Sequence, residues 1–505
     1  MRTPWRCCRG GDPVTVAELL AIAPLVFVIG LAIALVVVDM IRPHDDRLIG
    51  IVAVVGLVVG LEVVLLANGD GTGVFGGAYV RDRLTFFLDL VFLAIALLTI
   101  LFAPDYLRPR GLPMAEFAAT LLFAISGAML IGGARDLLVL FLGLELLVLP
   151  GYMLAGYAKR DGLSTEGAIK YFLLGSFSSA IFLFGLAFTW GYTGSTRVAD
   201  VAVALQGVTG PGLSAGLAIG LALLTSGVAF KIAAVPFHYW TPDAYQGSPT
   251  PVTGYLSVGP KVAAFALILR LFVEALAPLK ADWVDAIVIL AAITMTLGNL
   301  VALTQDNIKR MLAYSSIAHT GYMLVGLAAF AGAPAGSPAA QAGLEGLLFY
   351  AAAYTFMNLG AFAVVTALQG RTGVTSQIAT FAGLGRRAPL AGVLMTLFLL
   401  SLTGIPPTAG FFAKAYVILA AVQAGGWVSV LAVVAVLNAA AAAFYYLRVV
   451  VWMYMREAPD DAQPLTDSWP MKAGLAAAAL GTVLFGLVPG VIIPTAQAAA
   501  QALLP

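Results

Sequence analysis

The sequence predicts an all-α polytopic membrane protein with about 14 transmembrane helices. Three observations lead there. Charged residues make up 10% of the 505-residue chain and hydrophobic residues 61%, whereas a water-soluble globular chain carries about 25% charge. The mean hydropathy is +0.97. Apolar runs of spanning length, about 20 residues, recur from end to end. These runs are continuous, unlike the short alternating strands of a membrane barrel.

Taken in order, the runs Leu19–Met40, Leu48–Ala67 and Leu84–Ala103 fall in an N-terminal segment, 1–113. The first is too long for a signal-peptide core and no small-residue cleavage site follows it, so it reads as a retained helix. Met114–Ile131, Asp136–Gly156, Glu166–Trp190, Leu213–Ala244 and Pro251–Leu276 form a unit of five, 114–277. Trp283–Leu303, Ile308–Gly332, Ala339–Leu368, Leu390–Ala424 and Trp427–Met455 form a second, 278–456, and Met471–Ala500 closes the chain within 457–505. Loops rich in Gly, Pro and Ser, such as "GAPAGSPAA" (332–340), separate them. The seventh and twelfth runs are the two longest, and each carries a Gly/Pro interruption and one lysine. Paired interrupted runs five spans apart predict two inverted five-helix repeats with broken helices 7 and 12.

Lys and Arg set the orientation. With fourteen spans both termini share one side. The opposite loops hold thirteen basic residues against eight on the terminal side, which predicts both termini on the non-cytoplasmic side. A net charge of +1 carries no nucleic-acid footprint. Cys7 and Cys8, the only cysteines, are adjacent and lack partners for a metal site; they read as incidental thiols.

Six basic residues lie inside apolar runs: Lys170, Lys231, Lys261, Arg270, Lys414 and Arg448. Each charge near a helix centre costs about 2.5–3.5 kcal/mol on insertion scales and should face the bundle interior. Glu145, Lys261 and His319 fall near the middle of their runs. Lys170, Arg270 and Arg448 lie nearer helix ends, where long side chains snorkel to the interface. Glu62, Asp89 and Glu345 read as packing or interface polar groups. Prolines reinforce the selection, since each frees the carbonyl four residues before it. Pro150 frees Leu146, beside Glu145. Pro236 frees Ile232, beside Lys231. Pro260 adjoins Lys261, and Pro406 and Pro407 free Leu402 and Thr403, upstream of Lys414. Broken backbone at membrane depth is tolerated where it is buried in protein or lines a watery cavity.

Four stretches carry a resemblance: "STEGAIKYFLLGSFSSAIFLFG" (164–185), "FKIAAVPFHYWTPDAYQGSPTPVTGYLSVGPK" (230–261), "QDNIKRMLAYSSIAHTGYML" (305–324) and "SLTGIPPTAGFFAKAYV" (401–417). They resemble the antiporter-like membrane subunits of respiratory complex I, NADH–quinone oxidoreductase, and best the N branch of that family. The resemblance implies a bacterial cytoplasmic membrane protein that moves protons along a central charged axis, coupled to quinone reduction elsewhere. It implies no cofactor or metal in this chain, with NADH, FMN, iron–sulfur clusters and quinone held by other subunits. It implies M-type and K-type membrane-arm subunits as neighbours. By resemblance, Glu145 and Lys231 form a coupling pair that Lys170 modulates, Lys261 is a connecting lysine, His319 links the repeats, and Lys414 is a terminal site. His238, in "PFHYW", reads as an accessory hydrogen-bonding group. Alternatives are a multi-subunit cation/proton antiporter, a hydrogenase membrane arm, or a structural subunit that moves no ions.

Three structural expectations result. Breaks should fall near Lys231 and between Thr403 and Phe411. Glu145, Lys231, Lys261, His319 and Lys414 should lie at similar depth, with gaps that water can bridge. The Lys231 ammonium should lie close to Glu145.

Overall fold

In the computed structural model the described residues are 15–208, 213–370, 375–458, 465–466 and 468–504. Cys7 and Cys8 lie outside them. The chain is a helical bundle. α1 (Val16–Ile41) opens with a capping box in which Thr15 and Glu18 exchange hydrogen bonds. α2 (Asp46–Ala67) follows, then a short hairpin of β1 (Thr72–Val74) and β2 (Tyr79–Arg81), which the sequence reading did not foresee. α3 (Arg83–Leu107), α4 (Met114–Gly133), α5 (Leu137–Ala155) and α6 (Gly162–Thr193) are continuous. α7 (Val198–Ala204) is a short surface turn of helix.

The seventh apolar run is interrupted as the sequence predicts. α8 (Ala215–Lys231) ends on the lysine itself, and the chain turns through 232–239 before α9 (Trp240–Gly247). α10 (Thr250–Ile268) ends in a π-helical turn, Leu269–Ala275, and is buried on all sides. α11 (Lys280–Ala302), α12 (Ile308–Gly332) and α13 (Pro338–Leu368) lead through α14 (Leu384–Arg387) to the second interruption. There α15 (Pro389–Thr403) stops at Gly404 and α16 (Ala409–Ala424) starts five residues after it. α17 (Val430–Met455), α18 (Trp469–Leu487) and α19 (Ile493–Gln501) complete the fold. The last apolar run is thus two helices, because Pro489 and Gly490 end the first of them.

Among the described residues eleven helices are long and apolar enough to cross a membrane, and α8, α15 and α16 are shorter apolar pieces. α4 packs along α5 as α11 packs along α12. In both pairs glycines allow backbone contact. A Cβ on Gly127 would stand 2.4 Å from the Leu147 nitrogen, and one on Gly298 2.7 Å from that of Ala318. α10, α12 and α13 form the centre of the bundle, while α1, α2, α6 and α17 expose broad apolar faces.

One polar cluster corrects the reading of the charges. Arg270 does not snorkel. It is 0% exposed, and it bonds Asp82 Oδ1 at 2.8 Å, Glu274 Oε1 at 2.7 Å and the Gly132 carbonyl at 2.8 Å. Arg135 reaches Asp82 and Glu274, each at 2.9 Å. Burial works to raise the Asp82 carboxyl, but the Arg270 and Arg135 guanidiniums and the Thr85 amide hold it well below the usual carboxylate range. Alongside, Arg81 and Asp89 form an ion pair with neither side chain exposed. Breaking a buried pair by removing one partner costs about 3–5 kcal/mol, whereas replacing both by apolar groups is often neutral. Asp89→Leu is therefore expected to lower the thermal midpoint of the purified assembly. Arg81→Met with Asp89→Leu should restore most of it, and a double variant no more stable than Asp89→Leu would refute the pairing energetics.

Candidate functional site

The site is built around the two helix breaks. At the first, α8 ends and the Ile232 carbonyl has no helical donor, because Pro236 has no N–H. Thr320 Oγ1 on α12 donates to it at 2.8 Å. The Phe230 carbonyl accepts from the Trp240 indole at 3.2 Å, and the Val235 amide donates to Thr294 Oγ1 at 3.0 Å. Ala233 turns the chain at φ 57°. Neighbouring side chains thus satisfy the opened backbone, as a buried break requires.

Lys231 sits at the lip of this break. Its ammonium donates to Ser179 Oγ at 2.9 Å and to the Gly175 carbonyl at 3.3 Å, both on α6. Glu145 on α5 acts on it electrostatically, but among the described residues no ion pair within 4.0 Å joins them. The ammonium is aimed at α6 rather than at the carboxylate. Glu145 Oε1 is buried without a hydrogen-bond partner among the described residues, as is the Tyr152 hydroxyl two turns along α5. Gly175 makes room for that hydroxyl: a Cβ there would lie 2.1 Å from it.

Lys261 is 2% exposed and donates to both the carbonyl and the hydroxyl of Ser316, each at 2.6 Å. The single Thr320 hydroxyl proton that points to Ile232 is shared, more weakly, with the Ser316 carbonyl at 3.2 Å. Lys261, Ser316, Thr320 and Ile232 therefore form one hydrogen-bonded sequence from the middle of α10 to the first break. The Leu256 carbonyl, freed by Pro260, accepts from the Tyr245 hydroxyl at 2.8 Å. His319 shares α12 with Ser316. Its Nδ1 is 2.6 Å from the Tyr350 hydroxyl and its Nε2 3.3 Å from that of Tyr446. Lys261 and Lys414 both act on His319 electrostatically.

At the second break Gly404 closes α15 at φ 94°, and the Lys414 stem lies against it. The Lys414 ammonium donates to the carbonyls of Leu402 at 3.0 Å and Thr403 at 2.7 Å. These are the two carbonyls that Pro406 and Pro407 leave free. The ammonium also stands 4.7 Å from the centre of the Tyr322 ring, within cation–π range.

Two candidates lie apart from this chain of groups. Lys170 is 43% exposed and pairs with Glu166 at 2.6 Å and Asp243 at 2.7 Å, while Asp243 also holds Arg310 at 2.7 Å. Lys170 thereby ties α6 to the short α9 and to the start of α12. His238 lies in the turn after the break, stacked on Tyr239, with Nδ1 buried and lacking a hydrogen-bond partner among the described residues. The tyrosines around His319 were missed in the sequence. The spacing Tyr350–Tyr354, one helical turn, is the signal that marks that face of α13.

Comparison with known proteins places this architecture. The family model described as "NADH:quinone oxidoreductase/Mrp antiporter, TM" matches residues 134–438, which include every residue discussed at both breaks. A protein of Trichlorobacter lovleyi named NADH-quinone oxidoreductase subunit N is 41% identical over 486 residues, 96% of this chain and 97% of its own. The chain belongs to the family of NADH–quinone oxidoreductase subunit N. A second subunit N family protein, "subunit N 2" of Roseiflexus castenholzii, is 42% identical over 479 residues, 94% of each chain. A chain in the structure of respiratory complex I from Thermus thermophilus with bound aureothin superposes with a TM-score of 0.76 at 33% identity, covering 93% of this chain and 98% of that one. The fold of the subunit N family extends to a chain of the Mrp complex from Dietzia sp. DQ12-45-1b, with a TM-score of 0.81 at 22% identity over 97% of this chain and 98% of that one.

Proposed function

We propose that this chain is a proton-translocating subunit in the membrane arm of an NADH–quinone oxidoreductase, with Glu145, Lys231, Lys261, His319 and Lys414 as the groups that carry protons and Lys170 as a modulating residue. One observation supports this above the others. Lys231, Lys261 and Lys414 are each held by neutral oxygens, hydroxyls or backbone carbonyls, with no carboxylate within 4.0 Å among the described residues. A lysine that serves as structural glue needs an anionic partner to offset its desolvation. An ammonium on neutral oxygens can pass its proton to water or to a neighbour without breaking an ion pair. The hydrogen-bonded sequence Lys261–Ser316–Thr320–Ile232 gives the first break and the central lysine a shared element, and His319 lies one residue from it.

On this reading the two five-helix units, 114–277 and 278–456, act as inverted repeats. Counting α8 with α9, α15 with α16, and α12 as crossings brings the spans to fourteen. In a bacterial cytoplasmic membrane the Lys/Arg balance then favours both termini outside. Other membrane-arm subunits, M-type and K-type among them, would be its neighbours, and the redox groups would sit in other chains. A multi-subunit antiporter is the second reading, since the fold alone is shared with an Mrp complex chain. The whole-length relatives near 40% identity favour the first.

The test is Lys261→Ala in the assembled complex, assayed for NADH-driven proton uptake in membrane vesicles. Removing a positioned proton-transfer group typically costs about 10²–10⁴-fold in the step it serves. Proton uptake per NADH oxidised should fall while the amount of assembled complex stays near normal. An unchanged proton-to-electron ratio would overturn the proposal.

A further inference from the structure

Away from the axis, α2, α3 and α18 enclose a groove of about 610 Å³. Its walls are apolar, formed by residues such as Val55 and Ile100, and two arginines, Arg47 and Arg108, lie at one end of it. Trp469, 80% exposed, stands at the same end. That end is set by topology: the start of α2, the end of α3 and the start of α18 meet there. Arg108 has only a loose contact with Asp46 at 3.9 Å, with its side chain 48% exposed. Arg47 is exposed as well, so both guanidiniums can meet a further anion.

We infer that this groove binds a glycerophospholipid with an anionic headgroup, its acyl chain along the groove and its phosphate between Arg47 and Arg108. Three features favour a lipid over a neighbouring helix. Arg47 and Val55 are eight residues apart on α2, and Ile100 on α3 is eight residues before Arg108, which caps α3, so the apolar part runs about 12 Å below the arginines at 1.5 Å per residue. That is close to the hydrocarbon depth of one leaflet, roughly half of 30 Å. A transmembrane helix would need a groove twice as deep. The two arginines match a phosphate, which guanidinium forks bind well, and Trp469 has the amphipathic ring favoured at headgroup level.

Gly50 offers a clean probe. It lines the groove, and a Cβ there would meet nothing within 4 Å. The assembled complex, purified in mild detergent, is incubated with phosphatidylglycerol or phosphatidylcholine carrying a photoactivatable acyl chain, and the labelled peptides are mapped. Phosphatidylglycerol should label the segments 47–55 and 100–108 more strongly than phosphatidylcholine. Each arginine at an anionic headgroup is worth roughly fivefold in binding, so Arg47→Ser with Arg108→Ser should weaken labelling by about 25-fold. Gly50→Leu should block labelling by filling the groove, with assembly and turnover unchanged. Equal labelling by both lipids, labelling that survives either substitution, or labelling that appears only after neighbouring subunits are removed would overturn the proposal.

Discussion

Lys231→Ala is expected to reduce proton uptake per complex by about 10²-fold, the low end of what a positioned proton-transfer group contributes. The lysine ends α8 at the first break and holds Ser179 and Gly175 on α6. Removing it takes away a cation that interacts electrostatically with Glu145, whose Oε1 has no hydrogen-bond partner among the described residues. Lys231→Arg separates two roles. Arginine keeps a positive charge and donors for α6, yet it holds its proton at any working pH. Assembly should then be normal and proton uptake still impaired. The assay is NADH–quinone turnover and proton uptake in vesicles, normalised to assembled complex. Full activity in Lys231→Arg, with only the amount of complex reduced in Lys231→Ala, would assign this lysine a structural role.

Lys414 is expected to behave differently, because it does two jobs. It supplies the donors for the Leu402 and Thr403 carbonyls at the second break. An unsatisfied buried acceptor costs about 1–3 kcal/mol, so Lys414→Ala should destabilise the break as well as remove the proposed proton site. Less complex should assemble, and what assembles should pump poorly. Lys414→Arg can still cap both carbonyls. It should recover assembly without recovering proton uptake. If Lys414→Ala assembles fully, the ammonium is not what closes the break.

Much of this site was legible in the sequence for a simple reason. A lysine inside an apolar run and a proline beside it are both costly, and the proline rule names the orphaned carbonyl by number. Ile232, Leu402 and Thr403 were identified in that way, and each has a side-chain donor in the structure. The identity of those donors was not legible. Thr320 lies 88 residues from Ile232, and only the packed fold brings them together. Tyr350 and Tyr446, which flank His319, read as ordinary apolar residues because an aromatic ring fits the periodicity while its hydroxyl does not show in it. Lys170 was assigned to the Glu145–Lys231 pair by resemblance, yet its partner Asp243 sits on α9, a helix too short to stand out in an apolar pattern. Arg270 misled for a related reason. Its place near a helix end suggested escape to the interface, but the π-turn and Asp82 hold it inside.

That anchorage bears on how α10 can participate. Its middle carries Lys261 and the π-turn at its far end carries Arg270, which is tied to the start of α3 by Asp82 and to α4 by the Gly132 carbonyl, with Glu274 of its own turn as a third partner. A rod clamped at one end and enclosed along its whole length cannot slide like a piston. Any cycle that passes through Lys261 has to run on swings of the lysine stem and on hydroxyl rotations at Ser316 and Thr320, with α10 serving as the stator against which they turn.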